Sequence, residues 1–140
     1  GHIVTIKVGA STLTKVRDVD VTAVAQGSGI QSALPDWHNN LWFVTVSGKV
    51  GFITPGGSVR SRALPTGETI ANSFAMDESG GVFIVSTRAL YRFDVKDGKP
   101  GITWRQPPPC GSFAAPLRSR IYRTRGATLS CLLAATNETD

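Results

Sequence analysis

The stretch DESGGVFIVSTRALYRFDVKDG, residues 77–98, decides the fold. Its run Val82-Phe83-Ile84-Val85 is apolar at every position, without the alternation of a strand that keeps one face in water. Both faces of that run therefore need cover, and the flanking sequence suggests what supplies it. Sliding the chain by 41 places lays IQSALPDWHNNLWFVTVSGKVGFITPGG (30–57) on ANSFAMDESGGVFIVSTRALYRFDVKDG (71–98) without a gap. Identities fall at Ser32/Ser73, Asp36/Asp77, Val44/Val85, Phe52/Phe93 and Gly57/Gly98. Amide meets amide at Gln31/Asn72, and Asn39-Asn40 meets Gly80-Gly81.

Each unit reads the same way. A short strand ends at Asp36 or Asp77, and a turn of Asn or Gly follows. Those residues take positive φ cheaply, and the Asp carboxylate is placed to accept turn N–H groups. An apolar strand comes next (41–46 or 82–85), then a polar break at Ser47-Gly48 or Thr87-Arg88. A third strand (49–54 or 90–95) and an outer polar strand (58–64 or 101–105) complete the unit. Four strands in such a repeat make a propeller blade, whose sheet is covered on both faces by its neighbours. A parallel α/β sheet would also bury apolar strands, but it needs amphipathic helices between them. No ten-residue stretch has that period, and the chain holds 15 Gly and 8 Pro. The predicted fold is all-β: a β-propeller fragment of about two to three four-stranded antiparallel blades. Residues 1–28 read as the end of a preceding blade, 29–65 and 66–106 as blades, and 107–140 as a degenerate blade or poorly structured tail.

So few units form an open arc with at least one apolar face uncovered, because repeat units bury their core only against neighbours. The expected partners are the remaining propeller blades or another chain covering that face. No apolar run approaches the roughly 20 residues that cross a bilayer, so no membrane span is expected. Gly1-His2-Ile3 shows no targeting segment, and we expect a processed product or an internal piece. The net charge of +5 is concentrated in the tail, where RSRIYRTR (118–125) carries four Arg beside the single aromatic Tyr122. A nucleic-acid module would interleave more stacking aromatics, so no nucleic-acid partner is expected. Cys110 and Cys131 fit no redox or zinc spacing, and the prolines of QPPPCG (106–111) break any strand ladder. NET at 137–139 matches a glycosylation sequon.

NNLWFVTVSGKVGFITPGGSVRSRALPTG (39–67) resembles the repeat of virginiamycin B lyase-like propellers. GETIANSFAMDESGGVFIVSTRALYRFD (67–94) is similar to blades of the gluconolactonase-like and quinoprotein-like groups. The resemblance covers residues 26–105 and implies a propeller fold and a periplasmic or secreted location. It also implies chemistry at a central axis: a His and a metal-binding acid in the lyases, or Glu, Asn and Asp around one divalent cation in the lactonases. This chain has only His2 and His38, the latter in the turn PDWHNN where exposure is expected. The candidate ligand-binding, channel-facing residues are Gln31, Glu68, Asn72 and Ser73. Asn72 opens an innermost strand, Gln31 precedes it by one unit, and Glu68 lies in the loop that enters the strand. The structural alternative is that the inner-strand amides and hydroxyls satisfy backbone groups or channel water. A divalent metal is an expectation for a full-length parent only, with the remaining ligands outside this chain. No catalytic residue and no metal ligand are assigned here; Asp36, Asp77 and Glu78 read as turn residues, not as an acid/base pair. The functional expectation is a ligand- or protein-binding scaffold. The alternative is a fragment of a metal-dependent lactonase- or lyase-type propeller enzyme.

Overall fold

The structure, a computed structural model, describes residues 1–76, 79–106, 118–123 and 129–134, with residues 71–74 and the last two stretches described by their backbone. It is all-β with antiparallel sheets and one helical turn. Strands β1 (His2–Val8) and β2 (Leu13–Asp20) form a hairpin, followed by α1 (Thr22–Ala25). A four-stranded meander holds β3 (Ile30–Pro35), β4 (Leu41–Thr45), β5 (Lys49–Ile53) and β6 (Val59–Ala63). A second holds β7 (Ile70–Met76), β8 (Val82–Ser86), β9 (Leu90–Lys96) and β10 (Lys99–Gln106). Strands β11 (Arg118–Arg123) and β12 (Leu129–Ala134) pair as a final hairpin. The expected readings of Asp77, Glu78, Cys110 and the 137–139 sequon lie outside the described residues, as does the rest of the 107–140 tail apart from the backbone of β11 and β12.

The sheets stack face to face, which is how unalternating strands are buried. Trp42, Val44, Val50 and Phe52 on one face of the first sheet join Val82, Ile84, Tyr91 and Phe93 of the second in one core. On the opposite face of the first sheet, Phe43 and Ile53 pack with Val19 and Val21 of the N-terminal segment. Residues 42–44 are thus almost wholly out of water even though their side chains point to both sides. Strand β3 lies beside β7 and β6 beside β10, so the two sheets stack in the same strand order. At the hairpin, Arg17 donates to the carbonyls of Thr54 and Pro55, tying β2 to the β5–β6 turn.

The gap-free alignment holds through the second strand of each sheet and fails in the third. Ser32 pairs with Val44 and Ser73 with Val85, which keeps the 41-residue offset. Residues 45–49 then separate the pair Val44–Val50, whereas only 86–89 separate Val85–Leu90. The second turn is one residue shorter, and a one-residue slip sends every side chain to the other face. Phe52 pairs with Trp42 and faces the second sheet, while Phe93 pairs with Val82 and faces back toward the first. The expected equivalence of Phe52 and Phe93 is therefore corrected: Ile53 is the structural counterpart of Phe93.

Helix α1 is a feature the sequence reading did not anticipate. The Asp20 carboxylate accepts the Thr22 N–H at 2.8 Å, and Ala25 donates to the Val21 carbonyl at 2.9 Å. The turn buries Val21 and Ala25 and ends at Gln26, whose φ is +49°. Four residues are too few for a 3.6-residue period to register in the sequence.

Candidate functional site

The polar groups inside the stack are the natural place to look for chemistry, and each is tied into a turn. Asp36 is 6% exposed. One carboxylate oxygen accepts the backbone N–H groups of His38 and Asn40, both at 2.8 Å. The other accepts the Asn40 amide at 2.8 Å and the buried Trp42 indole N–H at 2.9 Å. Burial pushes the carboxyl's pKa up, but the Asn40 and Trp42 side chains and the two backbone donors outweigh it and hold it below the usual value. The expected turn role of Asp36 is thus what the geometry provides. His38 is exposed in that turn, as expected.

Glu68, expected to face a channel, is buried instead at 8% exposure in the connection between the two sheets. One oxygen accepts the Tyr91 hydroxyl at 2.8 Å and the other accepts the Ser86 hydroxyl. Ser86 also accepts the N–H groups of Arg88 and Ala89, at 3.1 and 2.9 Å. Arg105 donates to the Tyr91 oxygen at 3.2 Å and lies over its ring. Burial raises the Tyr91 pKa, and Glu68 adds to that against the pull of Arg105. The cluster clamps the inter-sheet connection to the β8–β9 hairpin. Tyr91→Phe should remove about 1–2 kcal/mol from the urea-unfolding free energy, since Glu68 then loses a buried donor. No loss would show the clamp to be energetically idle.

The remaining candidates lie on the first strands of the two sheets. Gln31 is half-buried and sits in a bulge between the Ile30–Thr45 and Ser32–Val44 pairs. In β7 the register shifts between Ile70 and Ser73, leaving Ala71 and Asn72 outside the ladder. Both sheets thus carry an irregularity where the sequence reading placed its amides, and bulges re-aim side chains and recur beside binding sites. The Asn72 and Ser73 side chains lie outside what is described. Among the described residues, no group of three His, Cys, Asp or Glu side chains is placed to hold a metal ion.

Sequence reasoning passed over one surface. Phe83, Arg92, Asp94, Thr103 and Trp104 line an open cleft of about 520 Å³ on the second sheet, on the side away from the first. Arg92 lies 5.9 Å from the Phe83 ring centre and bonds Ser79 at 2.8 Å and Asp94 at 3.1 Å. Trp104 meets Phe83 edge-on at 6.2 Å. Gly81 makes room for the guanidinium, since a Cβ there would lie 2.5 Å from Arg92 Nε. An aromatic wall with a cation and hydroxyl at its rim suits a planar or apolar ligand or a packed side chain. The alternating Phe83 and Trp104 could have signalled it, but their cross-strand meeting depends on the register of β8, β9 and β10.

No family model and no solved structure matches the chain. A 91-residue stretch is 30% identical to an uncharacterized protein of Archaeoglobus fulgidus, covering 61% of this chain and 18% of that protein. The chain therefore spans less than a fifth of that relative's length.

Proposed function

We propose that the chain is a partial β-propeller that works as a binding scaffold, its four-stranded sheets serving as blades and its open faces taking up a partner. The propeller groups it resembles are the gluconolactonase-like, virginiamycin B lyase-like and quinoprotein-like proteins. One observation carries the reading. By the hairpin register, Val4, Ile6, Val8 and Leu13 share the face opposite Ile3 and Val19. Ile3 and Val19 pack onto the first sheet, whereas Val8 and Leu13 are 75% and 73% exposed. Val4, Ile6 and Val8 form an exposed apolar row along β1, flanked across the hairpin by Asp18, Lys15 and Leu13, and such a row with a charged border is a docking surface for another sheet. The partner in this reading is a further blade or another chain, and the buried carboxylates serve the scaffold.

The test uses the whole 140-residue chain. It should self-associate on a sizing column with light scattering and bind a hydrophobic dye. Val8→Lys with Leu13→Glu, an opposite-charge pair across the hairpin, should abolish both while leaving the melting temperature within a few degrees, because exposed substitutions change stability little. A wild-type chain that stays monomeric and ignores the dye would sink the reading.

A second reading, a fragment of a metal-dependent propeller enzyme, draws on the paired irregularities at Gln31 and Ala71-Asn72. Calcium or magnesium should then raise the melting temperature, and Asn72→Ala should remove the shift. The absence of any shift in the longer parent protein would eliminate this reading.

A further inference from the structure

A second groove lies at the outer edge of the stack, between β6 of the first sheet and the β9–β10 turn of the second. It measures about 410 Å³, and its lining includes Arg62, Lys96, Asp97, Lys99 and Gly101. Three cations thus meet one carboxylate. Arg62 pairs with Val50, which places it on the face of the first sheet turned toward the second. Lys96 and Lys99 sit directly opposite each other across the Asp97-Gly98 turn. Like charges in that position destabilise a hairpin. The ion pairs among the described residues lie elsewhere, at His2, Lys15 and Arg92. Gly101 lets the Lys96 stem lie across the strand, since a Cβ there would come within 2.7 Å of the Lys96 Cβ. The sequence therefore breaks a local rule, and the backbone makes space for the residue that breaks it.

We propose that this groove binds a multivalent oxyanion, a phosphate or sulfate group, held between the outer strands of the two sheets. The Arg62 guanidinium offers a planar fork to two oxygens from one side. Lys96 and Lys99, which by register share the Asp94 and Gly101 face of the second sheet, supply point charges around its outer edge. The bound anion cancels the Lys96–Lys99 repulsion and bridges β6 to the β9–β10 turn.

Thermal melting at constant ionic strength tests it, with inorganic pyrophosphate and a sulfated disaccharide as separate probes and sodium chloride as the control. A saturable rise in melting temperature is expected with at least one probe. Tighter binding of the disaccharide would identify a sulfated glycan as the source, and tighter binding of pyrophosphate a phosphate compound. Lys99→Gln and Arg62→Gln should each weaken the affinity roughly tenfold, the loss of one charge-assisted contact. Lys7→Gln on the exposed hairpin should leave it unchanged. A rise that never saturates, or that is equal in all three variants, would reflect exclusion of the salt from the surface and overturn the proposal. Without ligand, Lys99→Gln should raise the melting temperature by roughly 1–4 °C through relief of repulsion. A fall would show that the lysines are satisfied without an anion, and would also overturn it.

Discussion

Asp36→Ala is expected to lower the unfolding free energy by about 3–5 kcal/mol, measured by urea denaturation, because an orphaned buried donor costs about 1–3 kcal/mol and several lose their acceptor at once. The Trp42 indole N–H, fully buried in the inter-sheet core, is the most costly of them. The two backbone donors of the turn come next, at His38 and Asn40. Asp36→Asn should cost less, since one oxygen still accepts, but its amide now faces donors. The pH dependence separates the two effects. Hydrogen bonding holds the folded-state pKa below the ordinary carboxylate value. The unfolded chain therefore takes up the proton first as pH falls. The stabilisation from Asp36 is complete above its unfolded pKa of about 3.9 and is lost as pH drops through the lower folded value. The wild-type chain should show this acid-limb loss, and Asp36→Asn should flatten it. An unchanged acid limb in Asp36→Asn would show that the carboxylate charge contributes nothing. The exposed Asp18 and Asp20, also lowered, act in the same range, and added salt should suppress the Asp18 share, which arises from His2 and Lys15.

The second large effect concerns Gly48, where the connection between the sheets crosses the β4–β5 turn. Gly48 has φ +82°, and a Cβ there would lie 2.7 Å from the Glu68 carbonyl oxygen. Its own carbonyl accepts the Leu64 N–H at 2.9 Å, so neither strand can retreat freely. Gly57 has φ +90° with open space around its Cβ position. Gly57→Ala should cost about 1–2 kcal/mol, the price of a left-handed backbone alone. Gly48→Ala should cost about 1–3 kcal/mol more, from overpacking against backbone. Equal losses at the two sites would mean that the connection does not press on the turn.

Much of this architecture is legible in the chain. The runs at 41–46 and 82–85 lack alternation, which requires cover on both faces; the neighbouring elements provide it for β4, while Val46, just past the strand, stays 56% exposed. The Asp-to-Asn spacing of the first turn announced a carboxylate accepting turn donors, and three such bonds are present at Asp36, with a fourth from the Trp42 indole of β4. The hydroxyl pair Thr45 and Ser86, aligned at the same offset, carried a signal that went unread: each accepts backbone N–H groups of its own turn. Glu68 gave no local cue, because its partners Ser86 and Tyr91 are 18 and 23 residues away. The groove at Arg62, Lys96 and Lys99 was equally silent, since its cations come from two sheets.

By itself the sequence determined that this is an antiparallel β protein, where its eight central strands fall and where they turn. Only the tertiary structure decided which face each third-strand residue presents. Side chains in a strand alternate with a period of two, so the loss of one residue between Val85 and Leu90 reverses Phe93 relative to Phe52. An alignment without gaps is blind to that loss, because both orientations bury an aromatic ring. The pairing of strands, fixed by hydrogen bonds between residues distant in the chain, is what distinguishes them.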